Sequence, residues 1–220
     1  SAWQGRPSAA WFASLPALGV KGLWVQLYGG LPGVFSVGPN PHAEYQLAQA
    51  RAASLKVAGY VWLPPPRNDL DNDIPRIVDE ADLTAGHQVS ALQFVTLDIE
   101  GAYAHGDVRL LSAWTQLHDA FRVPVPVYTS KSQWSHQNNT TILSAAPLHE
   151  AWYYNAMPDI SDAQIRFDLP KGLPFGGWTQ RAAWQFFGGE ANGVGADWNI
   201  MDTERLGVQQ EETTMSVFDK

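Results

Sequence analysis

Phe94-Val95-Thr96-Leu97-Asp98-Ile99-Glu100 is the stretch that decides how the chain reads. Side chains alternate between the two faces of a strand. Val95, Leu97 and Ile99 make one apolar face, while Thr96, Asp98 and Glu100 make a polar one with two carboxylates. Residues two apart lie roughly 6.5–7 Å apart along a strand, so both carboxyls converge on one site at its end. Such a pair divides labour, because the drier acid keeps its proton while the other ionises. The plain alternative is a strand running out into a solvated loop, so the surrounding sequence has to decide.

Strands and helices alternate on both sides of this stretch. Ser1 to Gly5 reads as the tail of a strand, and a helix from Pro7 to Leu15 or Leu18 is closed by Gly19. Gly22 to Tyr28 is an apolar strand ended by Gly29-Gly30, with a loop to Gly38. Asn40-Pro41 starts a helix with a stripe at Ala43, Leu47, Ala50 and Leu55. Val57 to Leu63 is a strand stopped by Pro64-Pro65-Pro66. Asp71 or Asp73 caps a helix with Ile74, Ile77, Val78 and Ala81 on its buried side. Asp107 caps another, with Leu110, Leu111, Trp114, Leu117 and Phe121. Val123 to Tyr128, Glu150 to Asn155, Ala183 to Phe187 and Gly193 to Asn199 are the remaining strands. Residues 131–147 mix helix and loop, and 156–183 read as loop with short elements.

Strand then helix, repeated about five times, calls for a parallel sheet with right-handed crossovers. The closing strands have little helix between them, and no Gly-rich phosphate loop follows any strand. A barrel is therefore favoured over an open doubly wound sheet. A single barrel domain is expected over residues 1–205, with a polar tail at 206–220. Barrels carry their functional residues at the C-terminal strand ends, where Asp98 and Glu100 lie.

Composition narrows the function. The chain has 220 residues, 45% of them hydrophobic, which suffices for a real core. A net charge of -8 argues against a nucleic-acid partner. No apolar run approaches the ~18 residues of a membrane-spanning helix. The absence of cysteine excludes disulfides, thiol nucleophiles and thiolate metal sites. Ten tryptophans and seven tyrosines suit a cleft that stacks sugar rings. The histidines lack H-x-x-x-H or H-x-H spacing, and His105 reads as a loop residue. Asp69, Asp71 and Asp73 lack the glycine and closing glutamate of a calcium loop. No metal or cofactor is therefore expected. Asn138 to Thr141 holds two overlapping glycosylation sequons, which matter only in a chain secreted by a eukaryote.

Several pieces, in order, resemble the glycoside hydrolase family 25 lysozymes, the Chalaropsis-type N-acetylmuramidases. Ser1 to Gly5 is similar to the end of the opening D-x-S-x-x-Q-G, and Gly59 to Trp62 to G-x-Y-H-F. Leu97-Asp98-Ile99-Glu100 resembles the catalytic D-x-E, and Tyr128 with Trp134 a Tyr…Trp segment. Ala151-Trp152-Tyr153 resembles the sixth strand, Trp184-Gln185-Phe186 resembles W-Q-Y, and Gly193 to Asn199 resembles G-x-x-G-x-D-x-N. The sequence departs from the pattern in places. The opening Asp would fall two residues ahead of Ser1, Tyr28-Gly29-Gly30 stands in place of T-E-G, and Trp62 in place of His.

The resemblance implies an α/β irregular TIM-like barrel, (β/α)5(β)3, and hydrolysis of the β-1,4 bond between N-acetylmuramic acid and N-acetylglucosamine in peptidoglycan. Glu100 would be the general acid/base. Asp98 would assist the substrate's N-acetyl group or stabilise an oxocarbenium-like transition state. Tyr60, Trp62, Tyr128, Trp152, Tyr154, Gln185 and Asp197 are the expected substrate-contacting residues. The partner would be bacterial cell wall, the protein a monomer, and the location extracellular, either secreted or within a phage or wall-degrading protein. Two alternatives stay open: a catalytically weakened barrel that binds peptidoglycan or another glycan, and a glycosidase on a different N-acetylated polysaccharide. Trp3, Trp62, Trp152 and Trp198 are each as well suited to core as to sugar platform.

Overall fold

The structure is a computed structural model, and it describes residues 6–30, 37–65, 73–100, 108–135, 140–153, 166–169, 172–191 and 194–208. One curled sheet runs through it in the order β2-β1-β3-β4-β5-β6-β7-β8. Its strands are β1 (Gly22–Gly30), β2 (Val37–Pro39), β3 (Lys56–Trp62), β4 (Leu92–Asp98), β5 (Val127–Thr129), β6 (Leu148–Ala151), β7 (Ala183–Ala191) and β8 (Val194–Met201). From β1 through β7 the neighbours β1, β3, β4, β5, β6 and β7 pair in parallel, while β2 and β8 pair antiparallel. The helices are α1 (Ala9–Ser14), α2 (Ala43–Ala52), α3 (Ile74–Ala85), α4 (Val108–Phe121) and α5 (Lys131–Ser135). The result is an irregular TIM-like α/β barrel.

The two faces of the sheet differ in chemistry. Val25, Leu27, Val57, Val61, Val95, Leu97 and Val127 are buried in one cluster with helix residues Leu47, Ile77, Val78, Leu110, Leu117 and Phe121. Removing this apolar area from water is the main drive to wrap helices round the sheet. The inner face changes character along each strand. At its base Trp24, Ala58 and Phe94 pack with Ala183, Leu206 and Val208, and the Trp24 and Phe94 rings meet edge-on at 5.4 Å. Two residues further along the same strands stand Gln26, Tyr60 and Thr96. The apolar plug thus closes the bottom of the barrel and leaves a polar floor above it.

Several boundaries differ from the sequence expectation, each for a local reason. The first strand runs on through Gly30, because Tyr28, Gly29 and Gly30 pair with Pro39, Gly38 and Val37 in what read as a loop. At Gly29 a Cβ would stand 2.6 Å from Gln26 Nε2 and 3.2 Å from Trp62 Cβ, so a larger residue would displace the Gln26 amide. Strand β5 begins only at Val127, since prolines 124 and 126 have no N–H to donate. Their carbonyls still accept from Val95 N at 3.1 Å and Leu97 N at 2.9 Å. Strand β6 is Leu148–Ala151, earlier than Glu150 to Asn155, and β8 extends to Met201. Asn40 turns the chain into α2, its Oδ1 accepting from His42 N at 3.0 Å, although the helix itself begins at Ala43. Asn40 is buried, with Nδ2 donating to Gln26 O at 2.9 Å and Gln46 Oε1 at 3.2 Å. Asp73 does cap α3, accepting from Arg76 N at 3.1 Å. Leu111 is 41% exposed and belongs to the outer side of α4, whose buried stripe is Leu110, Ala113, Leu117 and Phe121. Packing also continues past the expected boundary at 205, because Leu206 and Val208 cover Trp24 and Phe94.

Candidate active site

Strand register builds the site. Trp62 pairs with Asp98, Asp98 with Tyr128, and Tyr128 with His149, so four consecutive parallel strands place one row of side chains on the same face. Glu100 follows two residues beyond Asp98, immediately past the end of β4. Strand β8 returns antiparallel across β7 and brings Asp197 and Asn199 to the same cleft. Trp24, Gln26, Tyr60, Thr96, Tyr153 and Gln185 complete an open cleft of about 460 Å³. No Lys or Arg lines it among the described residues.

The acids sit in an environment that resists ionisation. Asp98 is 9% exposed, and burial, then Glu100, then Asp197 push its carboxyl well above the usual range. Glu100, half-buried, is raised by burial and by Asp197, while a hydrogen bond from Tyr128 draws it partly back. The Tyr128 and Tyr153 hydroxyls lie 2.9 Å apart. Since Tyr128 serves Glu100 as donor, Tyr153 donates to Tyr128 in turn. Burial and the neighbouring Asp98 keep the Tyr128 phenol protonated. Burial and the two neighbouring acids therefore favour the protonated form of Asp98.

The floor beneath the acids holds polar atoms awaiting partners. Trp24 Nε1, Thr96 Oγ1, Asp98 Oδ1 and His149 Nδ1 are buried without a hydrogen bond among the described residues. All four side chains line the cleft. Unpaired buried polar atoms are costly, on the order of 1–3 kcal/mol each, and mark places where a ligand group completes the structure. Elsewhere on the rim Tyr60 donates to Gln26 Oε1 at 3.0 Å, and Gln26 Nε2 donates to Gly30 O at 3.2 Å.

Seven of the nine expected site residues line this cleft: Asp98, Glu100, Tyr60, Trp62, Tyr128, Gln185 and Asp197. Trp152 does not. The alternation that turns His149 inward turns Trp152 away, where it stacks on Trp184 at 6.1 Å and accepts from Trp184 Nε1 at 2.8 Å. Tyr153, next in the chain, takes the place in the cleft. Trp198 alternates outward in the same way between Asp197 and Asn199. Tyr154 and His105 lie outside the described residues, as does Trp3. Trp24, Gln26, His149 and Asn199 had gone unselected. Gln26 and His149 carried a usable signal, each being a polar residue on the inward register of a buried strand.

No family model matches the sequence, and no curated protein matches it either. Solved structures do. The chain superposes on the spore cortex lytic enzyme SleM of Clostridium perfringens with a TM-score of 0.60 and 18% identity, over 85% of this chain. It spans only 62% of SleM. A muramidase from Trichobolus zukalii matches at TM-score 0.61 and 18% identity, over 91% of this chain and 92% of that one. The fold is that of the muramidases. A glycosyl hydrolase 25 of Streptococcus pneumoniae shares it at TM-score 0.65 and 10% identity, over 92% of this chain and 86% of the other. On this muramidase fold the acids stand at the C-terminal strand ends, the place where barrels carry their chemistry.

Proposed function

We propose that this chain is a peptidoglycan hydrolase that cleaves the β-1,4 bond between N-acetylmuramic acid and N-acetylglucosamine. The observation that carries the reading is the inward pair Asp98 and Glu100 facing Asp197 in an aromatic-walled cleft without cations. Its support from comparison is the shared muramidase fold.

Each residue has a part that its surroundings suit. Glu100, whose pKa burial and Asp197 raise, stands toward the open cleft, so its protonated form donates to the departing glycosidic oxygen. With that proton gone, its carboxylate takes one from the attacking water. Asp98 lies deeper and faces the orphaned donors and acceptors of the floor. An acetamido group offers one carbonyl acceptor and one N–H donor, which matches that mixed floor. In its ionised form Asp98 stabilises the positive charge that develops at the anomeric carbon and the acetamido group. Asp197 supplies further negative potential from β8. Trp62, Tyr60 and Tyr153 offer ring faces for sugar contact. A substrate of this kind places the working protein outside the cytoplasm, at bacterial wall.

Turbidity clearing of bacterial walls by the parent chain and by Glu100→Gln, with the new reducing ends identified, tests the reading. Clearing that ends with the variant, with muramic acid at the new ends, is expected. Glucosamine at those ends would reassign the bond cleaved. No clearing by either protein, with both pelleting with the wall, would replace hydrolysis by binding.

A further inference from the structure

His149 has no part in the chemistry above, yet it is 5% exposed at the centre of the barrel. Its ring lies 4.8 Å from Trp24 and 4.9 Å from Tyr128. The register partner of His149 on β7 is Ala183, whose methyl leaves room for the ring to reach beyond that strand. His149 Nε2 thereby meets Asn199 Oδ1 on β8 at 2.8 Å. Asn199 Nδ2 donates to Asp197 O at 3.3 Å. That bond assigns the amide: its oxygen faces His149, so Nε2 carries the hydrogen and Nδ1 the lone pair. A second proton on Nδ1 would find no acceptor among the described residues.

We propose that His149, acting through Asn199, is the positioning residue that holds Asp197 against the Asp98–Glu100 pair. The tie crosses a strand that the sheet's own ladder does not bridge, because β6 and β8 pair only through β7. It acts where β7 bulges, between Gln185 and Phe187, so the irregularity falls between the pairing of Asn199 with Gln185 and that of Asp197 with Gly188. A neutral imidazole suits the task, since it donates one directed bond without adding charge beside the acids. Burial keeps it neutral, lowering its pKa to about 4. The titratable groups facing this centre are Asp98 and Glu100 from β4 and its end, Tyr128 from β5, Tyr153 from beyond β6, and Asp197 from β8.

The inference rests on the proposed hydrolase reading only for its kinetic consequence, so the test reads both titration and turnover. His149→Phe keeps a ring against Trp24 and Tyr128 but has no donor, whereas His149→Gln restores an N–H toward Asn199. Full-length chain with carbon-13-labelled glutamate carboxyls reports the Glu100 titration directly. Expected for His149→Phe is a lower Glu100 midpoint, because Asp197 no longer presses its charge on it. A loss of about tenfold in kcat accompanies that shift, and His149→Gln returns both toward the parent. Asn199→Ala cuts the same tie from the other end and carries the test if His149→Phe does not fold. A parent-like Glu100 titration in folded His149→Phe or Asn199→Ala overturns the proposal, as does a Gln variant no better than Phe. If the titration moves and recovers as expected while no protein clears wall, the positioning role stands and the hydrolase reading falls.

Discussion

Two buried acid sites sit on opposite faces of one sheet, and their contrast separates what holds the fold from what the fold holds ready. On β6, His149 faces inward and Glu150 faces outward. Glu150 meets Arg181 at 3.0 Å, with both side chains at most 2% exposed. Arg181 also donates to Leu169 O at 3.0 Å and lies over the Trp184 ring at 5.3 Å. Gly172, at φ +97°, lets the chain pass against the Glu150 carboxyl where any side chain would collide. The outer acid is thus clamped by a cation and close-packed. The inner trio Asp98, Glu100 and Asp197 faces hydroxyls, amides and rings but no Lys or Arg among the described residues. Burial raises the pKa of Glu150 as well, but Arg181 and then Lys131 oppose that rise, whereas like charges reinforce it on Asp98. The barrel neutralises the acid that ties segments together and leaves uncompensated the acids that would meet substrate.

The sharpest break in this comparison comes from the inner site. Glu100→Gln lowers wall clearing by about 10²–10⁴-fold while the protein stays folded, because proton transfer is lost without loss of packing. The outer site answers in stability. Arg181→Met strands Glu150 as an uncompensated buried acid and lowers unfolding free energy by about 3–5 kcal/mol in urea titrations. Combining it with Glu150→Leu recovers most of that loss. A single variant as stable as the parent would erase the distinction between the two sites.

Acidity sharpens the contrast further. The inner acids have folded-state pKa values above their ordinary 3.8 and 4.5. Their contribution to stability is therefore fully present below about pH 4 and is lost as pH rises through the folded values. Asp98→Asn removes that loss. Its melting temperature exceeds the parent's by a few degrees at pH 7–8, and the two curves meet near pH 3. His149 has the opposite sense, losing stability as pH falls from 6.5 toward about 4, but it cancels in this difference. The smallest effect belongs to Tyr128→Phe. It removes the hydrogen bond that favours the Glu100 carboxylate, so the alkaline limb of the pH–rate profile moves upward.

The organising strand and its two acids were legible because period-two alternation needs no tertiary information. The strand–helix rhythm led to the barrel in the same way. What escaped depended on contacts distant in sequence. The 50-residue reach from His149 to Asn199 exists only because Ala183 between them is small. Strand β2 was hidden because three of the six residues in its pairing with β1 are glycines, which leaves no alternating side-chain pattern to read. Trp152 was misplaced for a simpler reason: the strand began at Leu148, and counting alternation from Glu150 left the inward and outward residues undecided.

A cleft of carboxyls in a chain of net charge -8 has a consequence for encounter with the wall. Peptidoglycan stems carry carboxylates of their own, so catalyst and surface repel at long range. Screening shortens that repulsion from a reach of about 30 Å at 0.01 M salt to about 10 Å at 0.1 M. For a chain that hydrolyses wall as proposed, lysis therefore quickens as ionic strength rises over this interval, and the surrounding electrolyte acts as the throttle on attachment.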